Sequence, residues 1–314
     1  MSADKTHSVP SDQGSRLLRA HHALVGLSVG DAFGECFFRP SAAEWAQEGR
    51  TPPPPWRYTD DTEMALAGFD VLDRHQTIDQ DALALAFARR YAADPERGYG
   101  GTAHSILRAI GSGIPWQQAS RACFDGAGSM GNGAAMRVAP IGAYFADDLA
   151  LVCEQARRSA EVTHAHPDGQ AGAIAVAVAA AYGARAPFTA ADEFFTAVLD
   201  LTPVGDTRSG IERARSLALS YDVRTAVSAL GNGSHVVSSD TIPLCMWIVA
   251  RHPTDYFSAL WTAVAAGGDR DTTSAIIGGI LASWHGERTV PDWWLPSRDP
   301  LMHDVDLQRD TSVD

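Results

Sequence analysis

The chain has 314 residues, 45% of them hydrophobic and 20% charged, enough for a well-buried core and unlike the composition of a disordered polymer. Its formal net charge of −13 argues against the nucleic-acid backbone as a partner, and no sequence-specific nucleic-acid binding is expected. The longest apolar run, residues 171–182, is too short to cross a bilayer, and the polar N-terminus lacks the apolar stretch of a signal peptide, so a cytoplasmic protein without membrane association is expected.

In chain order, residues 1–14 read as a disordered tail. Leu17 to Val29 follow a helical period that Gly30 and Gly34 break, and residues 39–57, with Pro52 to Pro55, read as a long loop. Helices are predicted at about 62–75, 79–93, 101–112, 116–123, 133–145, 148–163, 168–185, 190–200, 206–219, 239–251, 254–266 and 272–285. Strand signals are nearly absent: Phe37-Phe38 and Val236-Val237 are too short to build a sheet. Residues 171–184 are apolar all round, as in a helix packed on every side. The tail after Pro296 reads as poorly ordered. The expected fold is all-α, a compact orthogonal multi-helix bundle in one domain spanning residues 15–296, followed by a tail at 297–314. Cys36, Cys123, Cys153 and Cys245 form no C-x-x-C pair and read as buried free thiols.

Two oxygen-rich clusters stand about 200 residues apart: Thr59-Asp60-Asp61-Thr62, and Gly267-Gly268-Asp269-Arg270-Asp271-Thr272. Each precedes a helical pattern, so each could be no more than an N-cap with acids in the first turn. Each also holds more acids than a cap needs. Brought together, four carboxylates would have to be protonated or matched by cations, and two divalent ions would balance them. Carboxylate and hydroxyl ligands favour hard ions, Mg²⁺ or Mn²⁺.

Between the clusters, residues 126–131 match G-x-G-x-x-G but follow a predicted helix rather than a strand, against a dinucleotide fold. The same stretch runs into Gly131-Asn132-Gly133, a turn that is either a phosphate cradle or a plain connection between helices. A second Gly-Asn-Gly stands at 231–233. Glu161 to His164 match E-x-x-H, but the di-iron reading fails for want of a second copy.

Together these segments resemble the ADP-ribosylglycohydrolase family over about residues 20–285. The resemblance rests on residues 26–34 (Gly26 to Gly34, with Gly30-Asp31), Tyr58 to Thr62, Arg97-Gly98-Tyr99-Gly100, Gly131 to Arg137, Thr163-His164, Gly231 to Gly233 and Gly267 to Thr272, all in family order. It implies an all-α hydrolase with two Mg²⁺ or Mn²⁺ ions, cleaving ADP-ribose at C1″ from a protein side chain, nucleobase or small molecule. Carried over by motif, the metal ligands are Thr59, Asp60, Asp61, Asp269, Asp271 and Thr272. Ser129, Met130, Gly131, Asn132 and Gly133 would hold the diphosphate and distal ribose. His164, Tyr99, Gly233 and Ser234 complete the binding set, and a monomer is expected. The chain departs from the family pattern twice. Arg270 replaces the usual Thr of the second metal motif, and Phe38 stands where some members carry a Glu. Glu35 is the nearest acid that could substitute, so Glu35 and Asp271 are the candidates for proton transfer. Two rivals are a helical pyrophosphohydrolase, which would carry the E-x-x-E pairs absent here, and a relative that binds without turnover.

Overall fold

The computed structural model describes residues 9–303, and among them it contains α-helices, short 3₁₀ turns and no strand beyond two isolated bridges. The helices are α1 (Gln13–Glu35), α2 (Ala42–Glu48), α3 (Asp60–His75), α4 (Gln80–Ala93), α5 (Gly101–Gly111), α6 (Trp116–Arg121), α7 (Gly133–Met136) and α8 (Ala139–Tyr144). They continue as α9 (Leu149–Glu161), α10 (Pro167–Arg185), α11 (Ala191–Leu201), α12 (Asp206–Ser216), α13 (Val223–Leu230), α14 (Ser238–Arg251), α15 (Tyr256–Ala266) and α16 (Arg270–His285).

The first and last α-helices form the most extensive pairing in the fold. Helix α1 does not stop at Gly30. Asp12 caps its start by accepting from the Ser15 amide, and it runs on to Glu35. Gly26, Gly30 and Gly34 are one turn apart and line a single stripe. A Cβ at these positions would lie 2.4, 2.2 and 2.3 Å from the carbonyl oxygens of Gly278, Ser274 and Arg270 on α16. The glycines therefore let two backbones touch. The packing gained outweighs the ~1 kcal/mol that each glycine costs a helix interior.

Helix α10 is buried along almost its whole length, as the Ala-rich run predicts, and packs against α7, α8, α9, α14 and α16. Two helices went unread in the sequence. The short α2 lies inside the expected loop, and α13 is only 8 residues long, although Val223, Ala226, Val227 and Leu230 stand at helical spacing behind its Asp222 cap. The expected helix at 133–145 is two, parted at Arg137 and Val138. Of the four thiols, Cys36 and Cys245 are buried while Cys123 and Cys153 are only partly so.

The segment 297–303 packs onto the helices, unlike the tail expected from Pro296 onward. The Asp299 amide donates to the Trp56 carbonyl, Asp299 pairs with Arg97, and His303 meets Asp70 at 2.8 Å. Residues 1–8 and 304–314, which hold most of the two expected tails, lie outside the described residues. No described helix is long and apolar enough to cross a membrane.

Candidate functional site

The α1–α16 pairing carries Asp31 and Asp271 to one place, and α3 starts there too. Asp31 is fully buried. Its carboxylate accepts from the Thr59 amide (2.9 Å), the Thr59 hydroxyl (2.8 Å), the Thr62 amide (3.1 Å) and the Thr62 hydroxyl (2.5 Å). It thus anchors the first turn of α3 from the side. The sequence reading quoted Asp31 within a motif but gave it no role, because its partners lie 28 and 31 residues away. A second support comes from the Arg97 to Gly100 segment. The Arg97 carbonyl accepts from the Asp60 amide at 2.6 Å. Gly98, at φ +89°, lies close enough that a Cβ would sit 3.6 Å from Asp60 Oδ1. Tyr99 itself is only 5% exposed and packs edge-on against Tyr91.

The two acidic clusters meet. The Thr272 hydroxyl at the start of α16 lies 3.4 Å from Asp61 Oδ2, across 211 residues of chain. Capping accounts for Thr59, which accepts from the Asp61 amide. It does not account for the rest. Asp269 caps no amide of its own helix; its Oδ2 accepts from Asn132 at 2.7 Å. Asp61 Oδ1 and Asp271 Oδ1 are buried with no hydrogen-bond partner. The Thr59 hydroxyl has one proton, yet it stands 2.8 Å from Asp31 and 3.1 Å from Asp61, so one of those contacts needs a second proton or a cation.

The charges feel one another. Burial, then the Asp31 charge, pushes Asp60 up to about 8. Burial raises Asp31 to about 6 against the pull of its four donors. Asp61 is raised well above the carboxylate range by burial, then by Asp31 and Asp271; Asp271 is raised by burial, then by Asp269 and Asp31. Among the described residues, no three His, Cys, Asp or Glu side chains already converge as a finished cage around an ion.

Both Gly-Asn-Gly turns serve the second cluster. Asn132 Nδ2 donates to Asp269 and to the Thr241 hydroxyl, and the Asp269 amide donates to the Asn232 carbonyl. A Cβ on Gly233, at φ +85°, would sit 2.6 Å from the Asp269 Cβ. Ser234 folds back on Asn232 through its hydroxyl at 2.6 Å. The two turns are also stitched to each other. Gly131 and Val237 form an isolated antiparallel bridge, and the Asn132 amide donates to the Val236 carbonyl. Val236 adopts φ +57°, an outlier for a β-branched residue that costs about 1–3 kcal/mol, and nothing in its sequence announces it.

Beside the first turn lies His164. A Cβ on Gly131 or Gly133 would stand 3.2 Å from its ring, so the imidazole fills the space behind the turn. Ser129 accepts from the Gly131 amide, and Met130 is partly exposed beside it. Burial, then the Arg137 charge, lowers His164 to about 3, which keeps it neutral. Arg137 can only donate, and it donates to the Thr163 hydroxyl at 2.9 Å. That leaves the Thr163 proton for His164 Nδ1, 2.7 Å away, and assigns the ring proton to Nε2 on the side of the glycine turn. His166 acts as a helix cap, accepting from the Asp168 amide.

At the outer edge, Glu35 ends α1, one turn beyond Asp31, and is half-buried. Its carboxyl is raised by burial, then by Asp31. Phe38 follows in a 3₁₀ turn, and the Arg270 guanidinium lies 5.6 Å from its ring centroid. The two departures from the family motifs are in contact with each other.

Comparison with known proteins shows the family. The model of the ADP-ribosylglycohydrolase family matches residues 12–310. The ADP-ribosylhydrolase ARH3 of Bos taurus is 32% identical over 272 residues, covering 76% of this chain and 73% of that protein. The human ADP-ribosylhydrolase ARH3 is 30% identical over 275 residues, covering 76% and 74%. A solved ADP-ribosylglycohydrolase-related protein complex superimposes with a TM-score of 0.65 at 24% identity, over 90% of this chain and 93% of its own, a likeness of fold. The chain belongs to the ADP-ribosylglycohydrolase family.

Proposed function

We propose that the protein hydrolyses the glycosidic bond between C1″ of ADP-ribose and an acceptor, releasing ADP-ribose, with two hard divalent cations held between the acidic clusters. Family membership and the ARH3 relatives support ADP-ribosyl hydrolysis. The observation that carries the metal reading is the convergence of two carboxylate clusters whose buried oxygens, Asp61 Oδ1 and Asp271 Oδ1, lack partners. A donor set of carboxylates and Thr hydroxyls fits Mg²⁺ or Mn²⁺. Thr59, Asp60, Asp61, Asp269, Asp271 and Thr272 would hold the ions. Bound there, such ions balance the negative charge, grip sugar hydroxyls and make a water more acidic.

The chain's own residues divide the remaining work. Asp31 fixes the first turn of α3, and Asn132 and Asn232 fix Asp269, so the two halves of the site keep their spacing. The glycine turn at 131–133, with Ser129, Met130 and the neutral His164, receives the nucleotide end of the substrate; Tyr99, Gly233 and Ser234 support the same region. Glu35, whose carboxyl is raised by burial and then by Asp31, is the residue placed to donate a proton to the departing acceptor. Asp271 is the alternative proton carrier.

The test is product analysis by mass spectrometry on a panel of ADP-ribosylated acceptors, with and without exhaustive chelation. Free ADP-ribose that disappears on chelation is expected. AMP would mean pyrophosphate cleavage, and full activity after chelation would sink the two-metal reading.

Two variants probe individual roles. Glu35→Gln keeps shape and removes the acid. Turnover should fall by at least ~10²-fold with ADP-ribose affinity retained, and the alkaline limb of the pH–rate profile should vanish. A near-normal rate would assign the proton to Asp271 or to water. Gly133→Val would press a side chain onto His164 and into the turn. ADP-ribose affinity measured by calorimetry should drop at least ~10-fold. Unchanged affinity in a folded variant would make the turn a connection only.

A further inference from the structure

Asp31, Glu35 and Phe38 share one face of α1 and its extension. Glu35 is four residues from Asp31, and a 3₁₀ turn eclipses side chains three apart, which stacks Phe38 over Glu35. That face runs from a fully buried acid to a ring that is 51% exposed, so it leads from the site to its mouth. Gly34 presses the α1 backbone against the Arg270 carbonyl and pins the start of α16 beside the same face. The Arg270 guanidinium lies over the Phe38 ring, and its Nε reaches the Val264 carbonyl at 3.4 Å. Among the described residues, no carboxylate lies within ion-pair distance of it. In a chain of net charge −13, the edge of this acidic cluster thus carries an arginine seated on an exposed ring.

Resting on the ADP-ribosyl hydrolase reading, we propose that Phe38 and Arg270 form a filter for the acceptor. An aromatic face at the mouth would be the natural seat for a guanidinium leaving group. Here a guanidinium of the chain itself holds that seat. A positively charged acceptor meets a filled seat and like charge; an uncharged acceptor joined through a hydroxyl oxygen meets neither. Arg270 is thus a specificity residue, separate from the residues that hold the cations or move the proton.

The experiment compares two ADP-ribosylated peptides of one sequence, linked through an arginine guanidine or a serine hydroxyl, by ADP-ribose release. The wild type should favour the hydroxyl-linked peptide by at least ~10-fold in kcat/KM, and the preference should shrink as salt rises. Arg270→Gln should raise kcat/KM for the guanidine-linked peptide at least ~10-fold and leave the other within about twofold. Arg270→Lys, which keeps the charge, should stay selective. Calorimetry with ADP-ribose, which lacks the acceptor, verifies that each variant is folded. Should Arg270→Gln fail that control, Arg270→Met, which removes the charge and keeps the length of the side chain, should narrow the preference instead. Equal use of both peptides by the wild type, or a ratio unmoved in folded Arg270→Gln or Arg270→Met, overturns the filter alone. A wild type that releases ADP-ribose from neither peptide overturns the filter, and release from none of the panel of ADP-ribosylated acceptors overturns the parent reading with it.

Discussion

Asp60→Ala and Asp271→Ala are each expected to cut turnover by at least ~10³-fold, the loss corresponding to several kcal/mol of transition-state stabilisation at about 1.4 kcal/mol per tenfold. The same variants should not unfold the protein. Each carboxylate is held among others in a buried place, and both are raised in pKa by burial and by neighbouring acids. Removing one relieves repulsion in the chelated protein, so its melting temperature should stay level or rise. The pH dependence has a definite sign. Asp60 titrates at about 8 in the fold against an ordinary 3.8. The folded state therefore binds more protons than the unfolded state between those values, and its stability falls as pH rises through that window. The chelated wild type should melt at a higher temperature at pH 5 than at pH 8, and Asp60→Ala should flatten the slope. Added Mg²⁺ or Mn²⁺ should stabilise the wild type at pH 8 and have little effect on either variant. A folded Asp271→Ala protein with ordinary turnover would remove the cluster from the chemistry.

Gly30→Ala is expected to be strongly destabilising. The added carbon would lie 2.2 Å from the Ser274 carbonyl oxygen, and the obstacle is backbone on a buried helix, so no rotamer change can clear it. Ordinary overpacking costs about 1–3 kcal/mol, and here two helices must part along their length, so at least ~3 kcal/mol is expected. At about 2.1 cal/mol/K of unfolding entropy per residue, that is a fall of roughly 5 °C or more in melting temperature for a chain of this size. Activity should fall further than stability, because Asp31 on α1 and Asp271 on α16 are spaced by this contact. Gly14→Ala, near the helix start, where a Cβ would meet only the Asp12 carboxylate at 3.4 Å, is the matched control. Equal melting temperatures for the two variants would contradict the close approach.

What the sequence discloses is what is local. The acids and hydroxyls before α3 and α16, and the Ala-rich stretch of α10, carry their meaning in neighbouring residues. The glycine stripe does not: Gly30 and Gly34 look like helix breakers until α16 supplies the surface they fit. Asp31 is one acid in a motif until Thr59 and Thr62 turn toward it. Asn132, expected at the substrate, has its side-chain amide taken up by Asp269 and Thr241, a bond across 137 residues to the second cluster. Val236 has no sequence signal at all. The segment 297–303 looks like a tail by composition, yet Trp56, Arg90 and Arg97 on distant elements hold it through Asp299 and the Met302 carbonyl.

The contact between the first and last α-helices also sets the order in which this protein can mature. On the ribosome, α1 emerges before α16, with a glycine-lined stripe that is fitted to the α16 backbone. Synthesis proceeds at ~5–20 residues per second, so that helix waits on the order of ten to fifty seconds for its mate. Throughout that interval the acids of α3 stand without those of α16, and no truncated chain can assemble the complete cluster. Closing so long a loop is slow and leaves intermediates open to aggregation. During synthesis the acidic cluster can therefore be completed only after α16 has emerged.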